Sequence, residues 1–331
     1  MPPKKTAMQN HLLLLACLIA LLALASCTNI NSGSKSASQT DDFRKGTTGV
    51  TAQFQQTFGK EIVVSGDEPA QIDFLLALKN EGSYPENAGA QGAIWLSGFD
   101  KSIISVEADG YATFGPEPFG PLYLEGKSAA NPQGGSGIQE FHGTISSKSL
   151  REGKYKATVL ANVCYHYSTI ANPAVCIEKN PFEFSNQKKA CTSQDITLSG
   201  QGAPIAITKI EQFSTSDRIR FKITVKNAGK GIVADPALSC SPQGIAGMQR
   251  YQLNILSVDG VMIADKRLDC ANSLQGGYQL RLIEGVGSFT CSIAKEELAS
   301  NAAAFTTPLD ITLTYLYRDF AETPIIINKI P

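Results

Sequence analysis

The chain is poor in the groups that carry most enzyme chemistry. It has three histidines and one tryptophan in 331 residues. There is no H-E-x-x-H pair for a zinc hydrolase and no G-x-S-x-G elbow for a serine hydrolase. No C-x-x-C pair suggests a thiolate metal site. Gly134-Gly135-Ser136-Gly137 is glycine-rich but lacks the lysine of a phosphate loop, and reads as a loop. Charge of one sign is also missing: 29 basic residues stand against 30 acidic ones, too balanced to point to nucleic acid or an anionic lipid surface. Long amphipathic helical patterns are absent; one short helical patch, 294–304, reads as a connector. These absences lead us to expect no catalytic residue, no cofactor and no metal.

Long apolar runs are scarce too, and the one present is at the start. Lys4 and Lys5 precede an apolar stretch from Leu12 to Ala25, and no acidic residue occurs before Asp41. Basic start, apolar core and small residues before a cut form a secretory signal. The 14 residues from Leu12 to Ala25 span about 21 Å as a helix, short against a bilayer core of about 30 Å. The stretch ends in Leu24-Ala25-Ser26-Cys27, which reads as a lipobox, with Cys27 as the lipid attachment site. A plain signal peptide without lipid is the alternative. Residues 1–26 are then a leader and 27–47 a polar, flexible tether. The expected place is extracytoplasmic and membrane-anchored, at the cell envelope. With the leader go Lys4 and Lys5, leaving 27 basic residues against 30 acidic.

Six cysteines remain beyond Cys27: Cys164, Cys176, Cys191, Cys240, Cys270 and Cys291. An even count in an exported chain suggests three disulfides. Cys164 and Cys176 flank a turn at Asn172-Pro173, and a bridge between them would be worth about 3 kcal/mol in the chain-entropy picture. Of the three pairings open to the other four, a hairpin over 249–268 turning at Val258-Asp259-Gly260 favours Cys240–Cys270, leaving Cys191–Cys291.

From Gly49 onward the dominant period is two, a strand signal. Ile72, Phe74, Leu76 and Leu78 alternate with polar residues; so do Ile219, Phe221, Ile223 and Val225. Tyr155 to Tyr167 and Leu309 to Tyr317 do the same. The runs repeat. Ile72-x-Phe74-x-Leu76-x-Leu78-Lys79-Asn80-x-Gly82 matches Ile219-x-Phe221-x-Ile223-x-Val225-Lys226-Asn227-x-Gly229 at an offset of 147 residues. Tyr165-His166-Tyr167 matches Tyr315-Leu316-Tyr317 at an offset of 150. The expected fold is all-β: two tandem immunoglobulin-like β-sandwiches, 48–186 and 191–331, after the signal peptide and tether.

The strand ending in Lys-Asn-x-Gly resembles the early strand of Ig-like sandwich families of bacterial and archaeal surface proteins, such as the CARDB adhesion-related domain. The whole pattern is similar to tandem Ig-like surface proteins of small-genome archaeal lineages. Its carriers are Phe43 to Gly49, Cys164 to Thr169, Val175-Cys176-Ile177 and Gln201 to Pro204. The resemblance covers 43–331 and implies an envelope protein without bringing a reaction.

Two functions follow as expectations. The first is a lipid-anchored, non-enzymatic module that binds other envelope proteins, for adhesion or as an accessory subunit. The second is a glycan-binding or glycan-processing surface protein using the aromatic loop Phe114–Gly126, with Trp95, Tyr111 and Tyr123 as its ligand surface; Trp95 in the core is the competing reading. His142 and His166 read as surface or strand-packing residues. Arg218, Arg220, Lys222 and Lys226 form a basic strand face, usually a solvated one.

Overall fold

A residue period of two puts one face of a strand in water and the other against a core. The chain follows that rule along most of its length. A computed structural model describes residues 42–55, 61–66, 68–118, 120–150, 153–179, 189–271, 279–298 and 304–330. The leader, Cys27, most of the tether and the expected boundary around 186 lie outside the described residues. The first half holds β1 (Val50–Gln55), β2 (Glu61–Ser65), β3 (Ala70–Asn80), β4 (Gly92–Ser97), β5 (Ile104–Val106), β6 (Tyr111–Phe114), β7 (Ser136–Ile145), β8 (Lys154–Ala171) and β9 (Ala174–Glu178). The second half holds β10 (Ile196–Thr197), β11 (Ile205–Ser214), β12 (Arg218–Asn227), β13 (Ile232–Ala234), β14 (Ile255–Ile263) and β15 (Lys266–Arg267). It continues with β16 (Asp269–Ala271), β17 (Gln279–Arg281), β18 (Val286–Ala294) and β19 (Ala304–Ile330).

The fold is all-β and sandwich-like, with three sheets among the described residues. One runs β1-β3-β7-β5 and belongs to the first half; its counterpart in the second runs β10-β11-β12-β18-β16. The third has ten strands and belongs to both halves, with the path β15-β14-β19-β8-β4-β6 and with β2, β9, β13 and β17 attached. Phe74, Leu76 and Leu78 from β3 and Ile219, Phe221, Ile223 and Val225 from β12 are fully buried, in one hydrophobic cluster with residues of the central sheet. Each such side chain contributes about 1.5–3 kcal/mol. Residues 40 to 331 form one compact unit.

The halves meet where β8 pairs antiparallel with β19, from Ala171 opposite Ile311 to Lys154 opposite Asn328. Tyr165 faces Tyr317 and Tyr167 faces Tyr315, so His166 stands opposite Leu316. The repeat offset of 150 maps Tyr165 onto Tyr315 and Tyr167 onto Tyr317. Applied to the register it returns the same two pairs, so a pseudo-dyad passes between His166 and Leu316.

Two expectations are corrected. The 249–268 hairpin does not turn at Val258-Asp259-Gly260. There β14 runs on against β19 with a register shift between Val258 and Gly260, which absorbs Asp259 as a bulge. The chain reverses later, at Ala264 (φ 52°), before β15. The disulfides also pair differently: Cys164–Cys240, Cys176–Cys191 and Cys270–Cys291. Cys270 and Cys291 lie directly opposite each other on β16 and β18. Cys176 sits on β9, beside β19 at Thr306, while Cys164 lies far along β8 opposite Ala93 and Arg318. The spacing of 12 residues therefore separates two positions of the sheet instead of joining them. All six cysteines are bridged, which suggests an oxidising, extracytoplasmic environment. Among the described residues no helix is long and apolar enough to cross a membrane.

Candidate functional site: a cleft on the pseudo-dyad

The four tyrosines of β8 and β19 form the centre of the molecule. Tyr165, Tyr167, Tyr315 and Tyr317 are all essentially buried. They contact one another in edge-on or tilted pairs with ring centroids 5.4–6.4 Å apart. A buried phenol needs a partner for its hydroxyl, and the repeated Asn-x-Gly motif supplies it. The Tyr167 hydroxyl donates to Asn80 Oδ1 at 3.0 Å and accepts from the Tyr84 N–H at 3.2 Å. Asn80 Nδ2 donates to the Tyr84 carbonyl at 2.8 Å. In the second half Tyr317 donates to Asn227 Oδ1 at 3.3 Å and accepts from the Gly231 N–H at 2.8 Å. Asn227 Nδ2 donates to the Gly231 carbonyl at 2.9 Å. The glycine of each motif has a matching reason: a Cβ on Gly82 would stand 2.0 Å from the Tyr167 hydroxyl, and one on Gly229 2.3 Å from that of Tyr317. The two sequence repeats, Asn-x-Gly and Tyr-x-Tyr, are thus two sides of one clasp.

The other tyrosine pair breaks the symmetry. The Thr169 hydroxyl donates to the Ile205 carbonyl at 2.6 Å and accepts from Tyr315 at 3.0 Å. Offset by 150 residues, Asp319 takes the place of Thr169 and Tyr165 that of Tyr315. Here no such chain of hydrogen bonds forms, and among the described residues none bonds to the Tyr165 hydroxyl. A cleft of about 320 Å³ opens instead. Thr47 to Ala52, the start of β1 and the residues before it, are one wall; Pro204 and the turn Ala228-Gly229-Lys230 of the second half are the other. Val163, Tyr165 and Tyr317 are its buried floor, and Asp319 and Phe320 its mouth. Phe320 is 57% exposed, one of several large apolar residues exposed among the described residues. The Tyr165 hydroxyl packs against Gly49, where a Cβ would come within 2.7 Å.

Electrostatics keep the floor neutral. Burial, and then the neighbouring tyrosines and Asp319, hold Tyr165 well above the ordinary tyrosine range. Burial likewise pushes Tyr317 up to about 12, opposed by the Gly231 hydrogen bond. Both phenols are therefore protonated hydrogen-bonding groups at any physiological pH. The charged groups of the cleft are Asp319 and the exposed Lys230.

The residues singled out from sequence are placed as follows. Trp95 is buried, opposite Tyr111 on β4 and β6. Leu238, Ile245 and Met248 of the second half pack on this cluster with Cys164 and Cys240. The Tyr111 hydroxyl donates to the Cys240 carbonyl at 3.4 Å. Phe114 is in the main core and Phe119 lies outside the described residues. Tyr123 is half-exposed and lies over Gly89, donating to the Asn87 carbonyl at 3.2 Å. Trp95 and Tyr111 are thus brought together under a cover, and Tyr123 stands apart from them. His142 pairs with Asp73 across β7 and β3 at 2.8 Å on an exposed face. His166, half-buried, has its pKa lowered by desolvation. Within the basic face, Lys222 reaches Glu211 at 3.3 Å and Arg218 reaches Asp269 at 3.7 Å. Among the described residues no cluster of three metal-ligating side chains occurs. Cys27 lies outside them.

The cleft itself was missed from sequence, because its walls come from stretches more than 100 residues apart. The one available signal was the asymmetry of the repeat, Thr169 against Asp319. No family model matches the chain, and no curated protein matches its sequence.

Proposed function

We propose that the protein is an extracytoplasmic, lipid-anchored binding module that acts on other envelope proteins without catalysing a reaction. The observation that carries this reading is the seam cleft. Two halves locked together by β8, β19 and the Cys164–Cys240 bridge present a fixed cavity with an exposed Phe320 at its mouth. A rigid scaffold with a neutral aromatic floor suits recognition, since little conformational freedom is lost on binding. The anchor rests on the lipobox ending at Cys27, and the compartment on the three disulfides. The polar stretch expected as a tether after Cys27 would link that anchor to the folded unit. The glycan reading has less support, because Leu238, Ile245 and Met248 cover Trp95 and Tyr111.

Cross-linking the protein in its native membrane, with mass spectrometry of the adducts and of the N-terminal peptide, tests the proposal. A recurrent protein partner together with lipid-modified Cys27 is the expected result. Unmodified protein released to the medium, or adducts bearing only sugar, would overturn it.

A further inference from the structure

Resting on the binding-module reading, we infer that the seam cleft and the outer edge of β1 together receive an extended polypeptide strand from a partner protein, added antiparallel to β1. Three observations converge. The first is the edge. The Glu81 N–H donates to the Gly49 carbonyl, and β1 pairs in register with β3 from Val50 opposite Asn80. Antiparallel hydrogen bonding alternates, so residues 49, 51, 53 and 55 bond to β3, while the N–H and C=O groups of Val50, Ala52 and Phe54 point away. Among the described residues no strand pairs with that edge.

The second observation is what the equivalent edge does. Aligned through β3 and β12, Gln53 and Phe54 of β1 correspond to Lys209 and Ile210 of β11. Those two residues hold β10, with Ile196 opposite Ile210 and Thr197 opposite Lys209. The Leu198 N–H donates to the Thr208 carbonyl at 3.0 Å. By the same alternation Ile210 directs its backbone groups outward to β10, as Phe54 directs its own to an edge that no described strand pairs with. The second half therefore demonstrates a pairing that, among the described residues, the first half lacks. The third observation is the cleft beside it. Thr51 and Ala52 line it, and the Tyr165 side chain, 1% exposed, turns an unpartnered hydroxyl into it. An added strand would lay its backbone on β1, place one side chain in the cavity against Phe320, and offer Tyr165 an acceptor. Strand addition of this kind takes affinity from main-chain bonds and specificity from pockets for alternate side chains.

The test uses the full-length oxidised protein and two probes: a synthetic peptide copying residues 192–200, the segment around β10, and the same peptide N-methylated at the position of Ile196. Hydrogen exchange read by mass spectrometry locates binding. The expected result is that the plain peptide slows exchange at 50–54. The N-methylated copy binds about tenfold more weakly, as loss of one main-chain hydrogen bond implies. Tyr165→Phe removes a hydroxyl with no partner among the described residues, so it leaves the melting temperature unchanged and weakens the plain peptide several-fold. Protection confined to 205–211, or none at all, would overturn the site. So would equal binding of the two peptides. These results are separable from the broader reading: a partner cross-linked in the membrane to surfaces away from β1 and Phe320 would sustain a binding module while contradicting this site.

Discussion

Asn227, Gly229 and Tyr317 make a clasp whose parts depend on one another. A methyl added by Gly229→Ala meets the Tyr317 hydroxyl, and overpacking of this kind costs about 1–3 kcal/mol. Tyr317→Phe leaves Asn227 Oδ1 and the Gly231 N–H without that partner, at about 1–2 kcal/mol. The two changes should be non-additive, because removing the hydroxyl removes the closest of the contacts the methyl meets, leaving Pro204 Cβ at 2.9 Å. Denaturant unfolding of both single variants and the double variant checks this, and simple additivity would refute the clasp. The histidines give a second residue-scale prediction. Asp73 hydrogen-bonds to His142 and, with the nearby Glu107 and Glu140, raises its pKa above 6.5; burial lowers that of His166 below it. The His142 pairing then stabilises the fold fully below pH 6.5 and loses its effect as pH rises through the elevated folded value. His166 acts in the opposite sense and destabilises as pH falls below 6.5. An NMR titration should show the two resonances moving on opposite sides of 6.5, with Asp73→Asn bringing His142 back toward it. Identical midpoints would count against the structure.

Among the elements, the strands were the most legible. Period two around Phe74, Phe221, Tyr165 and Tyr315 located β3, β12, β8 and β19, because burial of one face is a local pattern. The Asn-x-Gly and Tyr-x-Tyr repeats were legible as well, but as separate facts. That they touch is a property of sheet stacking, which no local spacing encodes. The same gap explains the cysteines. Cys164 and Cys176 are near in sequence but lie on β8 and β9, which follow one another in line along β19, so the extended chain between them holds them apart; Cys240 reaches Cys164 only because 238–248 folds over the central sheet. The hairpin at Val258-Asp259-Gly260 failed for a local reason: turn residues also make bulges. At this scale the Cys164–Cys240 bridge has a measurable consequence. It spans 76 residues and is worth about 4–5 kcal/mol in the chain-entropy picture. Replacing both cysteines by alanine should lower stability by an amount of that order. Since Trp95 is the one tryptophan in the chain, its emission reports the cover directly. Emission should shift to the red and become more quenchable by acrylamide as Leu238, Ile245 and Met248 loosen. Unchanged emission with unchanged stability would show that the bridge holds nothing in place.

For the whole molecule, the repeat pointed to two copies but not to how they join. The joining follows from the β8–β19 register, which places His166 opposite Leu316 and buries four tyrosines that either half alone would expose. The halves should therefore unfold together. Residues 48–186 expressed alone should be insoluble or poorly protected, lacking β19 as the neighbour of β8. The cleft exists only in the joined state, so any ligand of it should stabilise both halves at once.

The most direct measurement is native-state hydrogen exchange on the oxidised chain, followed at 163–169 in β8 and 313–317 in β19. The fused-sheet account expects these amides to be among the slowest in the protein and to open in one step with the cores around Phe74 and Phe221. Two separate opening free energies, one for each half, with fast exchange along the β8–β19 pairing, would contradict it.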